Sequence, residues 1–536
     1  MVSTLHEDAS SRLWKPNDSL SKAAPLLCRR RAVDQLVAHG LPYSKKLMGH
    51  TSCVNALAIS PNGRWLASGG DDHFLHLWDF DQESLVEPSW RYTGPRSNVF
   101  TLAFSASGQY LFSGDTGAHI FQYDLSHVAS PIASTSGASN SPCATHNTHE
   151  DSIRAISCHP EQDHLFLSAA EDGRIILHDM RADSRRTRAQ GTLQQIAPFS
   201  CVQYHPRMTP LFATSDTQGV VCLRDVRMAF GPLSQRQHKG IVQKYVTTIA
   251  KQGQACMARP ETSSLVFDRE GRRLALTMLH HYPTLYSLND PYPIATFSGR
   301  YLPDGTPVPE GERTWSNSCT MKHGSFGGFG SDHDSYFAHG SDDFRTYLWK
   351  IPDDSALLEG RTVIGHSDWE RHLRPGEIGY VESHMGPRYV PIELSVPHAR
   401  LTGHDSIVNA ALIHPDRPYL LTAGIERYIR LHSPTSVTPS TEPLALTPQE
   451  VRTIPPTDPN SRMLLLRAMG IIDDPLDNPD DDSQALALFD QILRTEGNGD
   501  VFTIRACGPS DYSSDSDDDS DVAMGDSDSG GEIGMY

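Results

Sequence analysis

The sequence lacks the features of a membrane or secreted protein. It contains no run of about 18 apolar residues, so no helix is predicted to cross a membrane. Residues 1–8 include acidic side chains and no apolar core, so a secretory signal is not expected. The nine cysteines are scattered without a C-x-x-C pair, which argues against a disulfide framework or a structural zinc site. These absences predict a soluble protein of the nucleus, the cytoplasm or both.

The sequence patterns of common catalytic sites are also missing. No G-x-G-x-x-G follows a predicted strand, and no G-x-x-x-x-G-K-[ST], H-E-x-x-H or G-x-S-x-G pattern occurs. The glycine-rich segment 324–330 has no lysine of the kind that a phosphate-binding loop uses. The 26 histidines form no spaced cluster. We therefore expect no enzymatic activity, no catalytic residue, no metal site and no cofactor.

The negative charge is concentrated at one end of the chain. The formal net charge is −19, and residues 509–536 contribute nine of those charges through eight Asp and one Glu. The remaining residues are only mildly acidic and lack the clustered cations of duplex-binding proteins, so direct sequence-specific nucleic-acid binding is not expected. Residues 513–521 predict a solvated acidic tail whose serines are open to acid-directed phosphorylation.

The sequence does contain an internal repeat. One unit runs from Gly49-His50 to Trp78-Asp79, and the last runs from Gly403-His404 to His432, with 28 residues from the first histidine to the terminal aromatic residue in both. Related segments lie between them. Seven units are counted, which end at residues 78, 123, 178, 224, 286, 349 and 432.

Each unit contains short runs rich in β-branched and aromatic residues, separated by turn residues, and such runs predict strands. A four-stranded unit cannot bury both of its faces alone, so neighbouring units must stack, and radial closure protects the strand edges. The sequence therefore predicts an all-β fold, a seven-bladed β-propeller over residues 44–433. Residues 44–48 are expected to add a strand to the last blade and so join the two ends of the ring.

Segments outside the repeat were assigned from their composition. Residues 1–25 are predicted to be disordered and residues 26–43 to contain a helix, which either caps the ring or docks a partner. The C-terminal residues 434–536 are predicted to be mostly disordered, with a short helix at 484–494. Insertions in the propeller, the first with a short amphipathic helix at 241–249, are expected at residues 228–262, 289–318 and 351–399.

One set of polar residues resembles the hydrogen-bonded tetrad of the WD-repeat family, namely His50, Ser68, Asp72 and Trp78. The resemblance implies a structural role for them, in which they tie the strands of one blade together. In the seventh unit Glu426 and His432 replace the acidic and aromatic members, so that tetrad is predicted to be weaker. Three His-Pro pairs at equivalent turns are likewise interpreted as structural, those of His159, His205 and His414.

Two arginines stand out because they occupy the same position in consecutive units. The third unit ends in Asp179-Met180-Arg181 and the fourth in Asp225-Val226-Arg227, so Asp-x-Arg directly follows the third strand of each. An arginine two residues beyond a strand should project from the rim, where the aspartate can orient its guanidinium group. A single copy would indicate an ordinary surface arginine, whereas two equivalent copies favour a protein-recognition site.

The paired pattern resembles the signature of WD-repeat substrate receptors of cullin-4 RING ubiquitin ligases, which dock on the adaptor known as damage-specific DNA-binding protein 1. The resemblance implies that Arg181 and Arg227 face the adaptor and that Asp179 and Asp225 orient them. Segments such as 317–322 and 401–409 also match this family. The chain departs from the family where His178 and Arg224 replace tryptophan, which is predicted to weaken the packing of those blades.

Two functional hypotheses follow from this resemblance. In the first, the protein is a non-enzymatic receptor that links an unidentified client protein to the adaptor and, through it, to cullin-4 and the RING subunit. In the second, it is a WD-repeat scaffold for a nuclear or RNA-associated assembly with no ligase role, and the two arginines are incidental. A propeller hydrolase forms a third class, for which the sequence offers no motif.

Overall fold

The computed structural model describes residues 28–82, 85–126, 128, 140–181, 190–232, 234, 236–371, 374, 376–437, 444–454, 483–497 and 499–507. The predicted disorder of residues 1–25 and the acidic residues 509–536 lie outside this part of the chain. In the described residues no helix is long and apolar enough to cross a membrane.

Most of the described chain forms antiparallel sheets of four or five strands, numbered here in chain order. Sheet 1 contains Val54–Ile59, Trp65–Gly70, Leu75–Asp79 and Trp90–Tyr92. Sheet 2 contains Val99–Phe104, Tyr110–Asp115, Ile120–Asp124 and Ala144–His146. Sheet 3 contains Ile153–Cys158, Leu165–Ala170, Arg174–Asp179 and Thr192–Gln194. Sheet 4 contains Phe199–Tyr204, Leu211–Asp216, Val221–Asp225 and Ile241–Tyr245.

Three further sheets follow the same plan. Sheet 5 contains Thr262–Phe267, Arg273–Met278, Thr284–Ser287 and Pro293–Phe297, with the parallel strand Ile392–Leu394 at its edge. Sheet 6 contains Ser325–Gly327, Tyr336–Gly340, Thr346–Lys350 and Ala399–Leu401. Sheet 7 contains Val408–Ile413, Leu420–Gly424, Tyr428–Ser433, Tyr43–Met48 and Ala445–Leu446.

The sheets are arranged as a propeller, as the sequence predicts. The first strands of consecutive sheets are neighbours, and the first strand of sheet 7 lies beside that of sheet 1. Strand Tyr43–Met48 pairs antiparallel with Tyr428–Ser433, so the beginning of the propeller completes its last sheet. An apolar cluster around the buried Trp78 joins sheets 7 and 1 through Leu421 and Ile429.

Six of the seven sheets, all except sheet 6, share a local feature where the first two strands meet. A register shift follows the first residue of the first strand, between Val54 and Ala56 in sheet 1 and between Val408 and Ala410 in sheet 7. In sheets 1 and 7 the second strand ends there in a glycine. A Cβ atom on Gly70 would lie 1.8 Å from the carbonyl oxygen of Cys53, so only glycine allows this close approach of the two backbones.

A sheet outside the propeller is built from two of the predicted insertions and from the C-terminal segment. We call it the inserted sheet, and its strand order is Thr362–Ile364, Arg388–Val390, Ile378–Tyr380, Ile249–Lys251, Met257–Ala258 and Ala506–Cys507. The short helix expected at 241–249 is wrong, because Ile241–Tyr245 is the fourth strand of sheet 4. A helix this short is marginal in isolation, whereas strand Val221–Asp225 offers backbone partners for an extended segment.

The other predicted boundaries also change. Part of the insertion at 289–318 is the fourth strand of sheet 5, and the insertion at 351–399 ends in the fourth strand of sheet 6. The segment 434–536 is more ordered than predicted where the structure describes it, since helix Ser483–Glu496 packs on the propeller and helix Val501–Ile504 packs on the inserted sheet. The described helices are 28–36, Val226–Ala229, Asp354–Gly360, His366–Arg371, Ser483–Glu496 and Val501–Ile504.

Candidate functional site

The two Asp-x-Arg sequences lie at equivalent places on neighbouring sheets. Asp179 ends the third strand of sheet 3 opposite Leu165, and Asp225 ends the third strand of sheet 4 opposite Leu211. The side of the propeller at which the third strands end is called the Asp-x-Arg face, and the side at which they begin is called the opposite face. Because sheets 3 and 4 are in contact, both arginines follow adjoining strand ends of one face.

Each aspartate binds its arginine in the same way. The backbone N–H and Nε of Arg181 both donate to Asp179 Oδ1 at 3.0 Å, and Nη2 donates to Oδ2 at 3.0 Å. The corresponding distances from Arg227 to Asp225 are 2.9, 3.0 and 2.6 Å. These hydrogen bonds lower the pKa of both carboxyl groups. The side chains of Arg181 and Arg227 remain 63% and 75% exposed.

An aspartate at the end of the third strand also occurs in sheets 1 and 2, whereas the arginine two residues later does not. Asp79 and Asp124 end the third strands of sheets 1 and 2 and accept the backbone N–H two residues later, at 3.0 and 2.9 Å. The aspartate is therefore a turn-forming residue. Among the described sheets, arginine follows it only in sheets 3 and 4. In the other five sheets that position holds Asp81, Ser126, Asn289, Pro352 and Thr435.

The aspartate leaves part of each guanidinium group available for a partner. It engages Nε and Nη2, whereas Nη1 of Arg181 and of Arg227 forms no hydrogen bond with the described residues, and both side chains are largely exposed. An arginine that is already oriented loses less conformational entropy on binding than a freely rotating one. The arrangement can therefore bind carboxylates, carbonyl oxygens or aromatic faces of a protein partner at two adjacent points.

A related arginine in sheet 1 was not predicted from the sequence. Arg64, in the turn before the second strand, donates from Nε and Nη2 to Asp79 at 2.9 and 2.7 Å and is 39% exposed. The hydrogen bonds to Asp79 raise the pKa of Arg64. The pair joins neighbouring strands, because Trp65 lies opposite Asp79. The pairing register, not a local motif, is the signal that could have revealed it.

The N-terminal helix lies on the Asp-x-Arg face, over sheet 6. Tyr336 donates its hydroxyl to Asp34 Oδ1 at 3.0 Å, and the Lys350 ammonium lies 3.0 Å from the same oxygen. Val37 is fully buried in the cluster that includes Leu348 and Leu420. The helix therefore packs against the propeller, which agrees with the capping interpretation, while its docking role stays a prediction.

The four tetrad residues of sheet 1 are in direct contact. His50 Nδ1 lies 2.9 Å from Asp72 Oδ2, His50 Nε2 lies 2.8 Å from Ser68 Oγ, and Trp78 Nε1 donates to that hydroxyl at 3.0 Å. The side chains of His50 and Asp72 are 1% and 2% exposed. This burial and mutual satisfaction indicate a structural role.

The seventh tetrad is complete, contrary to the sequence prediction that it is weakened. His404 binds Glu426, its Nε2 lies 2.7 Å from Thr422 Oγ1, and that hydroxyl lies 3.2 Å from His432 Nε2. Glutamate and threonine preserve the hydrogen-bonding groups of the residues they replace, so the chain of contacts is maintained.

The two residues that replace tryptophan also keep a hydrogen bond to the neighbouring strand. His178 Nε2 lies 2.8 Å from Ser168 Oγ, and its ring stacks on Phe166 with 4.3 Å between centroids. Arg224 donates from Nε to Thr214 Oγ1 at 3.0 Å, and burial lowers its pKa. The structure thus provides interstrand contacts at both positions where weaker packing was predicted.

In the described residues, a single group of His, Cys, Asp and Glu brings three ligand atoms within 4.8 Å of one another, namely His50, Asp72 and His76. His50 and Asp72 already bind each other and Ser68. His76 is 1% exposed, and burial lowers its pKa to about 3. The group thus belongs to the buried interior of sheet 1, and the eight cysteines whose side chains the structure describes are free thiols.

Comparison with known families identifies the repeat. Residues 42–79, 86–124, 140–179 and 395–433 match the family described as "WD domain, G-beta repeat". The protein is a WD-repeat protein, and the predicted all-β propeller of this class is confirmed.

Within this class the chain is similar to the DDB1- and CUL4-associated factors, as the sequence resemblance indicated. It is 27% identical to DDB1- and CUL4-associated factor 5 of Homo sapiens over 483 residues, which cover 89% of this chain and 42% of the relative. The chain thus spans less than half the length of that relative.

Shorter matches reach other WD-repeat proteins. WD and tetratricopeptide repeats protein 1 of Homo sapiens is 28% identical over 37% of the chain and 28% of its own length. Methylosome protein WDR77 of Xenopus laevis is 28% identical over 32% of the chain and 46% of its own length.

Proposed function

We propose that this protein is a substrate receptor that docks a client protein onto a cullin-4 RING ubiquitin ligase through the adaptor DDB1. The observation that carries the proposal is the pair Arg181 and Arg227, exposed and held by aspartates at equivalent positions of adjoining sheets. Similarity to a protein named as a DDB1- and CUL4-associated factor over 89% of the chain supports it.

The proposed receptor is a closed, non-enzymatic ring with seven blades, which are sheets 1 to 7. The proximity of the first strands of sheets 7 and 1, and the strand Tyr43–Met48 added to sheet 7, support this blade count. A rigid ring suits a receptor because it holds the arginines in place while the opposite face or the inserted sheet binds a client. We place this activity in the nucleus, the cytoplasm or both.

The electrostatic character of the pair supports a docking role. Each guanidinium group is paired with one carboxylate, so the two sites carry little net charge and do not favour nonspecific binding to polyanions. Arginine is enriched among the residues that dominate protein interfaces, where it stacks and donates several hydrogen bonds at once. Two such residues on one face offer a small and geometrically defined contact for a large partner.

The experiment is co-purification of the adaptor with the full-length chain carrying Arg181→Glu and Arg227→Glu. The expected result is loss of adaptor recovery, because glutamate reverses the charge at both contacts. Arg272→Glu is the matched control, since Arg272 is 74% exposed and paired with Glu270 in a turn of sheet 5 on the same face. Unchanged circular dichroism and melting temperature would show that the variants are folded.

Adaptor recovery that survives both substitutions would refute the docking mechanism. Loss of recovery with Arg272→Glu as well would indicate a diffuse electrostatic attraction instead of two specific contacts. In either case the alternative of a WD-repeat scaffold without a ligase role would be favoured, for which the similarity to Methylosome protein WDR77 is the supporting observation. A native purification would then recover assembly proteins without cullin-4.

A further inference from the structure

The inserted sheet contains a cavity that has no part in the proposed adaptor contact. It has a volume of about 730 Å³, and all of its lining residues come from segments 250–257 and 366–388, outside sheets 1 to 7. Ala250 and Met257 form an apolar floor, since they lie opposite each other on neighbouring strands. Trp369, from helix His366–Arg371, forms a wall.

A buried cation lines this cavity without a counter-ion. Arg388 is 3% exposed, its Nη1 donates to the carbonyl oxygen of Gly386 at 2.5 Å, and its Nε has no hydrogen-bond partner. In the described part of the chain, no carboxylate lies within 4.0 Å of this guanidinium group. A buried charge in this state is destabilising unless an anion reaches it.

The neighbouring residues keep the Arg388 side chain in place. A Cβ atom on Gly379 would lie 2.8 Å from Cβ of Arg388 and 3.2 Å from the Trp369 ring, so glycine makes room for both. Burial lowers the pKa of Arg388, and the charge of the nearby Glu370 carboxylate offsets only part of this effect. Arg374 also lines the cavity, whose single carboxylate is that of Glu370. We call this cavity the Arg388 pocket.

The acidic end of the chain begins at an edge of the same sheet. Cys507 lies opposite Met257, the floor residue, and residues 509–536 then contain eight Asp and one Glu without a Lys or Arg. Four strand spacings separate strand Ala506–Cys507 from strand Arg388–Val390, or about 19 Å at ~4.8 Å each. An extended chain covers this distance in about six residues. The acidic run 513–521 therefore has the length to reach Arg388.

We propose that the Arg388 pocket is a carboxylate-binding site and that the chain's own acidic segment, residues 513–521, occupies it. The unpaired guanidinium group carries the positive charge that the acidic segment lacks. The position of Cys507 at the edge of the same sheet places the beginning of that segment near the pocket. The inference is independent of the adaptor role, because no residue of the Asp-x-Arg face takes part. Any acidic protein that uses the same pocket would have to displace this segment.

The test uses full-length protein in which Asp515, Asp517, Asp518, Asp519 and Asp521 are replaced by Asn, here called the neutral-tail variant. The probe is a fluorescein-labelled peptide of residues 509–525, and its binding is measured by fluorescence anisotropy at low salt. The peptide should bind the neutral-tail variant at least about tenfold more tightly than the wild type, whose tail competes at high effective concentration.

Further substitutions in the neutral-tail variant locate the site. Arg388→Met should weaken peptide binding by about tenfold or more, whereas Arg371→Met should leave it unchanged because Arg371 is 77% exposed and does not line the pocket. Gln254→Glu places a negative charge at an exposed lining residue and should also weaken binding, which keeps the test valid if Arg388→Met fails to fold.

Three results would overturn the proposal. One is equal affinity, or no detectable affinity, of the peptide for the wild type and the neutral-tail variant, since the tail would then not compete for a site. The second is peptide binding that neither Arg388→Met nor Gln254→Glu weakens, which would place the tail at another surface. The third is an equal loss of binding with Arg371→Met, which would contradict a defined pocket.

Discussion

His414 joins sheet 7 to sheet 1, and we expect it to make the stability of the propeller depend on pH. Its Nε2 donates to the carbonyl oxygen of Gly63 at 2.8 Å, and its Nδ1 accepts the backbone N–H groups of Asp416 and Arg417 at 3.1 Å each. The side chain is fully buried, and burial lowers its pKa to about 4. Protonation would remove the Nδ1 acceptor, so the contact requires the neutral imidazole.

The size of the acid effect follows from the pKa of the histidine in the unfolded chain and its pKa in the folded protein. The unfolded histidine takes up a proton as the pH falls through 6.5, whereas folded His414 stays neutral down to about pH 4. The stabilisation from this preference is therefore complete above pH 6.5 and is lost progressively as the pH falls from 6.5 towards 4. At about 1.4 kcal/mol per pH unit in that window, acidification from pH 7 to pH 5 removes about 2 kcal/mol.

The assay is urea denaturation of the wild type and of His414→Gln at pH 7 and at pH 5. The variant should be less stable at pH 7, because it loses hydrogen bonds, but its free energy of unfolding should fall about 2 kcal/mol less than that of the wild type on acidification. His39→Gln, at an exposed site, is the control. An identical pH dependence of the wild type and His414→Gln would refute the assignment of this effect to His414.

Two further substitutions test the buried polar contacts of the propeller. Ser68→Ala removes the hydroxyl that contacts His50 and Trp78, and it should lower the free energy of unfolding in urea by about 2–3 kcal/mol. Lys322→Met removes the counter-ion of the buried Asp342 carboxylate, which lies 2.5 Å from the Lys322 ammonium, and should cost about 3–5 kcal/mol, measured in the same way. Adding Asp342→Asn should restore part of that loss, and no recovery would contradict the pairing.

The repeat was predictable because its residues recur at fixed positions. Gly-His at the beginning of a unit and an aspartate after the third strand are local signals, and they identify the tetrad of His50 and the arginines Arg181 and Arg227. Their hydrogen bonds reach residues at a constant sequence offset, so spacing alone was informative.

The inserted sheet could not be predicted, because its strands are two or three residues long and come from distant segments. Ala250 pairs with Gly379, and Met257 pairs with Cys507, which no local pattern links. The helix expected at 241–249 was wrong because the apolar spacing of Ile241 and Tyr245 fits a strand as well, and the register of sheet 4 decided the outcome. The hydrogen-bond partners of the buried Arg224 could not be predicted either, because only the tertiary structure brings them together.

The docking role of Arg181 and Arg227 is tested most directly by calorimetric titration of purified DDB1 with the wild type, Arg181→Ala, Arg227→Ala and the double variant. Each single substitution should weaken the affinity by about tenfold or more, and the double variant should show no measurable binding, while all four proteins melt at the same temperature. A double variant that binds DDB1 with wild-type affinity would refute the docking role of the two arginines.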